Sequence, residues 1–154
     1  MHSILATLPA RKRIALVAHD NMKDDLCAWA LEHKEPLAQS TLFATGTTGL
    51  LLERTLNLPV HAYLSGPLGG DQQVGANIAQ GELDLLIFFW DPFEPMPHDP
   101  DIKALLRVAA VWNIPLACNH ASADFIVTSP LFAASYSRSV PDYQRYLDSR
   151  AKSL

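Results

Sequence analysis

The chain has 154 residues, 49% of them hydrophobic, a formal net charge of −4 and a mean hydropathy of +0.06. That length suits one domain spanning residues 1–154 without a linker, and the apolar share is too high for a disordered chain. The negative balance argues against a general nucleic-acid-binding surface, and the longest apolar run, Leu85 to Trp90, is far too short to cross a bilayer.

Met1 to Arg13 places a short apolar stretch before its basic residues, the reverse of a secretory leader, so a soluble cytoplasmic protein is expected. Ile14 to Ala18 is continuously apolar and reads as a buried strand. From Asn21 the period changes: Met22, Leu26, Trp29, Ala30 and His33 recur at helical spacing. Thr41 to Ala44 is a second strand, leading through Thr45 to Gly49 into a helix over Leu50 to Leu56. Val60 to Leu64 is a third strand, and a helix from about Gln72 to Gly81 follows a glycine-rich turn. Leu83 to Trp90, apolar on both faces, belongs at the centre of a sheet. Four prolines keep the next segment irregular until a helix from Asp101 to Asn113. Ile114 to Cys118 is a fifth strand, a short helix starts near Ala121, and a last helix runs from Tyr143 to Lys152. Repeated β-α alternation implies an open parallel five-stranded sheet with helices on both faces.

In such sheets ligands bind beyond the carboxyl ends of the strands, and there the chemically loaded residues lie. Thr45-Gly46-Thr47-Thr48-Gly49 opens a helix, which suits an anion, phosphate above all, or simply a threonine-capped turn. It lacks the lysine of a Walker A loop. Lys23 sits in the first turn of a helix, where a cation opposes the dipole unless a bound anion lies before it; the alternative is a solvated lysine. Ser65-Gly66-Pro67-Leu68-Gly69-Gly70-Asp71 bends sharply or exposes its amides. Asp71 is either a helix N-cap or a general base, and a base there needs something to oppose the helix dipole. A second carboxylate, Asp101, is the candidate.

His98-Asp99-Pro100-Asp101 admits three readings. His98 ligates a metal with Asp91, Asp99 or Asp101; or it is a neutral imidazole donating to a substrate carbonyl; or the segment is an ordinary helix start. Metal is the weakest, for no short His-His or Cys-His spacing supports it. His19, directly after the first strand, is a further donor or an exposed loop histidine. Cys27 and Cys118 have neither disulfide density nor metal spacing and read as reduced buried thiols. His2, His33, His61 and His120 gain no support from their surroundings.

Several blocks resemble the methylglyoxal synthase family across almost the whole chain. They include Ala15-Leu16-Val17-Ala18-His19-Asp20, Ala44 to Gly49, Ser65 to Ala76 and Phe88-Phe89-Trp90-Asp91-Pro92. Pro97-His98-Asp99-Pro100-Asp101, Ala123-Asp124-Phe125-Ile126 and Pro141-Asp142-Tyr143 complete them. The Gly-Gly-Asp-Gln-Gln and Pro-His-Asp-Pro-Asp blocks together are specific. The resemblance implies a lyase taking dihydroxyacetone phosphate to methylglyoxal and phosphate, in a glycolytic bypass, with no metal or organic cofactor. It implies a Rossmann- or flavodoxin-like three-layer fold. Asp71 resembles the family's base, His98 its carbonyl-side partner and Asp101 its second carboxylate. His19, Lys23, Thr45, Gly46, Thr47, Thr48, Ser65 and Gly66 resemble its substrate- and phosphate-binding set. A homohexamer under allosteric inhibition by phosphate is also implied. Arg107 and Arg150 are candidates for subunit contact or phosphate sensing, or are solvated surface arginines. Cys118 and His120 follow no pattern of the family. The competing classes are a regulatory ligand-binding module of the same fold, a metal-dependent phosphatase and a triose-phosphate isomerase.

Overall fold

The computed structural model describes residues 2–151. Five parallel strands form the main sheet: β2 (Arg13–Ala18), β3 (Thr41–Thr45), β4 (Val60–Tyr63), β5 (Leu85–Phe89) and β6 (Leu116–Ala117). Their order is β4-β3-β2-β5-β6, so the chain winds outward in one direction from β2, then returns to its other side with β5. The strand period of two sorts side chains onto two faces. Ile14, Leu16, Leu85, Ile87 and Phe89 pack against α1 (Lys23–Glu32), α3 (Gly46–Leu56) and α6 (His120–Val127). Ala15, Val17, Leu86 and Phe88 pack against α4 (Gly70–Ala79) and α5 (Asp99–Val111). β5 is buried along its whole length, as its two-sided apolarity predicts.

The helices extend the expected ones with shifted ends. α4 begins at Gly70 rather than Gln72, and α5 at Asp99 rather than Asp101, because each first turn is built from the loop's own residues. A short helix, α2 (Lys34–Ala38), follows α1, and α7 spans Tyr143–Ala151. The expected end of that last helix, Lys152, and the starting Met1 lie outside the described residues.

One unit has no counterpart among the elements expected from the sequence. β1 (Ser3–Leu8) pairs antiparallel with β7 (Tyr136–Pro141) in a separate two-stranded sheet. Buried Leu8 and Val140 anchor it to the body, and polar contacts add to them. Buried Lys12 donates through Nζ to the carbonyls of Pro9 and Ala134, each at 2.6 Å. Buried Arg138 donates to the Trp112 carbonyl at 2.9 Å. The basic cluster preceding the first core strand is therefore partly an internal strap.

Arg13 and Asp84 lock the starts of β2 and β5 together. Asp84, almost fully buried, accepts from the Arg13 backbone N–H at 2.8 Å, from Nε at 2.9 Å and from Nη2 at 2.7 Å. Arg13 is partly exposed, so the cost of deleting it falls on the buried Asp84 carboxylate left without its counter-charge. Arg13→Met is expected to cost about 3 kcal/mol, read as a lower denaturant midpoint with unchanged m. A shift below about 0.5 kcal/mol, the scatter of ordinary surface substitutions, would remove the pair from any account of stability.

Candidate active site

The loops after β2, β3, β4 and β5 meet over the carboxyl edge of the sheet, at the point where the strand order reverses. They enclose a cavity of about 280 Å³. One wall is the start of α3. Gly46 has φ +48°, and a Cβ there would stand 2.4 Å from Ser65 Oγ, so only glycine lets the two loops close. Thr45 occupies the N-cap without a side-chain capping bond; the Gly46 N–H donates to the Leu64 carbonyl at 3.2 Å, and Thr47 and Thr48 of the same first turn line the cavity. Thr45 and Thr48 are buried; Thr47 is exposed and accepts from Lys23 Nζ at 2.6 Å. Lys23 also pairs with Asp20 at 2.6 Å, and that cation holds the Asp20 carboxyl below its usual range. A lysine, a helix N-terminus and hydroxyls thus converge on one end, an arrangement suited to phosphate.

The opposite end holds the titratable groups. Asp71 sits in the first turn of α4, nearly fully buried. Burial pushes its carboxyl above the usual range; nearby Asp101 adds to that, while His98 and His19 oppose it. Desolvation, not the second carboxylate, is thus the main force on Asp71, which revises the expectation placed on Asp101. Asp101 does not line the cavity; it meets Asp71 across a shallow depression between α4 and α5. His98 Nε2 stands 3.7 Å from Asp71 Oδ2. His19 is buried, not an exposed loop residue, and burial holds its protonation below the ordinary histidine range. Its Nδ1 accepts the Asp91 backbone N–H at 3.1 Å, so the neutral ring carries its proton on Nε2.

Buried polar groups without partners are rare in folded proteins, and their positions are informative. Among the described residues, the buried side-chain atoms lacking one are His19 Nε2, Asp71 Oδ2, His98 Nδ1 and Arg138 Nε. The first three belong to residues of this one cavity. It is built for a polar occupant that the protein itself does not supply.

A family model described as "MGS-like domain" matches residues 25–118. The methylglyoxal synthase of Saccharophagus degradans is 63% identical over 154 residues, covering 100% of both chains. That of Cellvibrio japonicus is 63% identical over 145 residues, 94% of each. The crystal structure of the methylglyoxal synthase from Elizabethkingia anophelis superposes with a TM-score of 0.87 at 53% identity, covering 94% of this chain and 95% of that one. The chain belongs to the methylglyoxal synthase family.

Not every residue singled out from the sequence enters the cavity of this family member. Arg107 and Arg150 are exposed and line no part of it; Arg150 lies 5.5 Å over the Tyr146 ring. Cys27 and Cys118 are half-buried, and burial pushes both thiols up. His120 stands 3.6 Å from Asp124 on α6, outside the cavity. Among the described residues no three His, Cys, Asp or Glu side chains group closely enough to hold a metal ion. Nor is any described helix long and apolar enough to cross a membrane. Sequence reasoning passed over the apolar part of the wall, Val17, Phe88, Pro67 and Met96. Val17 and Phe88 read only as strand core, and nothing in their type marks them as facing a ligand.

Proposed function

We propose that the chain converts dihydroxyacetone phosphate into methylglyoxal and inorganic phosphate, needing no metal or organic cofactor. The observation that carries this is the joining of a phosphate end to a buried carboxylate with raised pKa and two histidines with free ring nitrogens, in one cavity of substrate size. Full-length identity to proteins named methylglyoxal synthase supports it.

Lys23, the threonines, Ser65 and Gly66 hold the phosphate. Asp71 takes a proton from the hydroxymethyl carbon, and the electron pair passes to the carbonyl oxygen, giving an enediolate. His19 Nε2–H and His98 face that developing charge. The hydroxyl on the deprotonated carbon then passes its proton to the neighbouring oxyanion and becomes the aldehyde C=O, while the enediolate C=C shifts to the phosphate-bearing carbon and the C–O bond to phosphate breaks. Phosphate departs with the bonding pair, and the enol ketonises to methylglyoxal. A carboxylate raised by burial is a stronger base than a solvated one, and exclusion of water by Phe88 and Met96 protects the enediolate. Asp101 contributes by keeping Asp71 basic rather than by touching substrate.

Elimination requires the breaking C–O bond to stand roughly perpendicular to the enediolate plane; isomerisation requires it in plane. The phosphate grip therefore selects the product. Removing a hydroxyl with Thr47→Val or Thr48→Val is expected to lower kcat/KM about 10- to 100-fold and to raise the share of isomerised triose phosphate. An unchanged product ratio would reduce the threonines to affinity alone.

The regulatory arginine roles belong to the same reading, as do a cytoplasmic homohexamer, inhibition by phosphate and a place in a glycolytic bypass. The test of function is incubation of purified protein with dihydroxyacetone phosphate and excess chelator. Methylglyoxal and phosphate in equal amounts are expected. Isomerised triose phosphate without phosphate release, or saturable phosphate binding without turnover, would assign the site to the isomerase or the regulatory class instead.

A further inference from the structure

His19 presents a donor to the cavity only because its other nitrogen is occupied. The Asp91 N–H points at Nδ1 from 3.1 Å, and a backbone amide cannot reverse its role. Were that amide to drift, Nδ1 would be free to carry the proton, and Nε2 would face an oxyanion with a lone pair instead of an N–H. The lock is therefore as good as the position of Asp91.

Apolar packing holds only one side of that position. Trp90, directly before Asp91, is partly buried against the core that contains Val17 and Phe88, but beyond Asp91 the residues Pro92, Phe93, Glu94 and Pro95 are all exposed. The Asp91 carboxylate accepts both from its own loop, including the Glu94 backbone, and from the β2 side. Oδ1 accepts the Phe93 N–H at 2.9 Å, closing a local turn, and Oδ2 accepts from Asn21 Nδ2 at 3.1 Å. Asn21 Nδ2 also donates to Glu94 Oε2. Asn21 stands in the single turn Asp20–Met22 directly after His19, so one exposed amide clamps the β5 loop onto the β2 loop that carries the histidine.

We infer that Asn21 is a positioning residue: by bridging Asp91 and Glu94 it holds the Asp91 amide on His19 and so keeps His19 in the form that donates from Nε2. The inference rests on the proposed reaction only for the consequence in turnover. Asn21 does not line the cavity and is not assigned contact with substrate.

The test compares wild type, Asn21→Ala and Asn21→Asp, each labelled with ¹⁵N-histidine, with the His19 ring signals assigned by their loss in His19→Asn. Two-bond ¹⁵N–¹H correlations report which ring nitrogen carries the proton. Wild type is expected to show His19 with Nε2 protonated and Nδ1 bare. Asn21→Ala is expected to mix the two forms and to lower kcat about tenfold with little change in KM for dihydroxyacetone phosphate. Asn21→Asp, which sets a third carboxylate against two, is expected to do so more severely. A wild-type ring protonated on Nδ1, a variant ring unchanged from wild type, or a mixed ring with unchanged kcat would each overturn the inference. The spectra need no turnover, so the clamp can fail while the reaction stands, and the reverse.

Discussion

Asp71→Asn is expected to lose about 10³- to 10⁴-fold in kcat while folding at least as well as the parent. The side chains have nearly the same shape, so the cavity and its phosphate end persist, and saturable phosphate binding is the control for that. The stability half follows from burial. Asp71 is nearly inaccessible, its Oδ2 has no partner, and its folded pKa is raised from the ordinary 3.8, chiefly by desolvation. For a carboxyl raised on folding, the native state binds the proton more tightly than the unfolded chain. Its stabilising contribution is then complete below the unfolded pKa and is lost as pH rises through the folded one. Wild type should therefore lose stability on going from acid toward neutral pH relative to Asp71→Asn, which has no such proton to lose. Thermal melts of both proteins across that range check the sign. A variant less stable than wild type at neutral pH would mean that the charged carboxylate is welcomed by its surroundings, and with it would go the account of a base strengthened by burial. The same raised pKa places the acid limb of kcat/KM above the usual aspartate range.

The sequence and structure agree most closely where one physical signal dominates. Leu85 to Phe89 is apolar on both faces and can only be a central strand; it is one. Glycine and hydroxyl groups at strand ends, in Thr45 to Thr48 and Ser65 to Asp71, marked loops that do share one cavity. Agreement fails where the signal is distributed. β1 is mostly exposed and β7 carries a buried arginine, so neither shows a clean alternation, and their pairing spans nearly the whole chain. His19 admitted an exposed reading beside the donor one because a single histidine after a strand reveals nothing of what closes over it. Here Phe88 meets it edge-on at 5.2 Å, and the Asp91 amide covers Nδ1. Asp101 was visible as a second acid, but its distance from the cavity depended on where α5 begins, and a helix end is the element boundary a sequence defines least.

Gly70→Ala is expected to damage fold and activity together, whereas Gly75→Ala, on the same helix, should do neither. A Cβ on Gly70 would lie 2.0 Å from the Leu64 carbonyl oxygen and 2.9 Å from the Ser65 carbonyl carbon. Both are backbone atoms, with no flexible end to swing aside. The Gly70 N–H already donates to the Ser65 carbonyl at 2.9 Å, so the start of α4 is pinned against the peptide it would have to leave. Relief requires the helix start to move away from the loop after β4, and the next residue is Asp71. About 3 kcal/mol of stability is the expected cost, with about 10²-fold in kcat from a base displaced by a fraction of its reach. At Gly75 the added methyl would meet Leu105 Cδ1 at 3.8 Å, an ordinary contact between α4 and α5, and the helix would gain about 0.5–1 kcal/mol from the exchange of glycine for alanine. Paired melting and turnover measurements on the two variants separate the causes. If Gly70→Ala melts low yet turns over normally at low temperature, the close approach serves the fold alone. If both fall, the contact between Gly70 and the Leu64–Ser65 peptide is what sets the general base at its working depth.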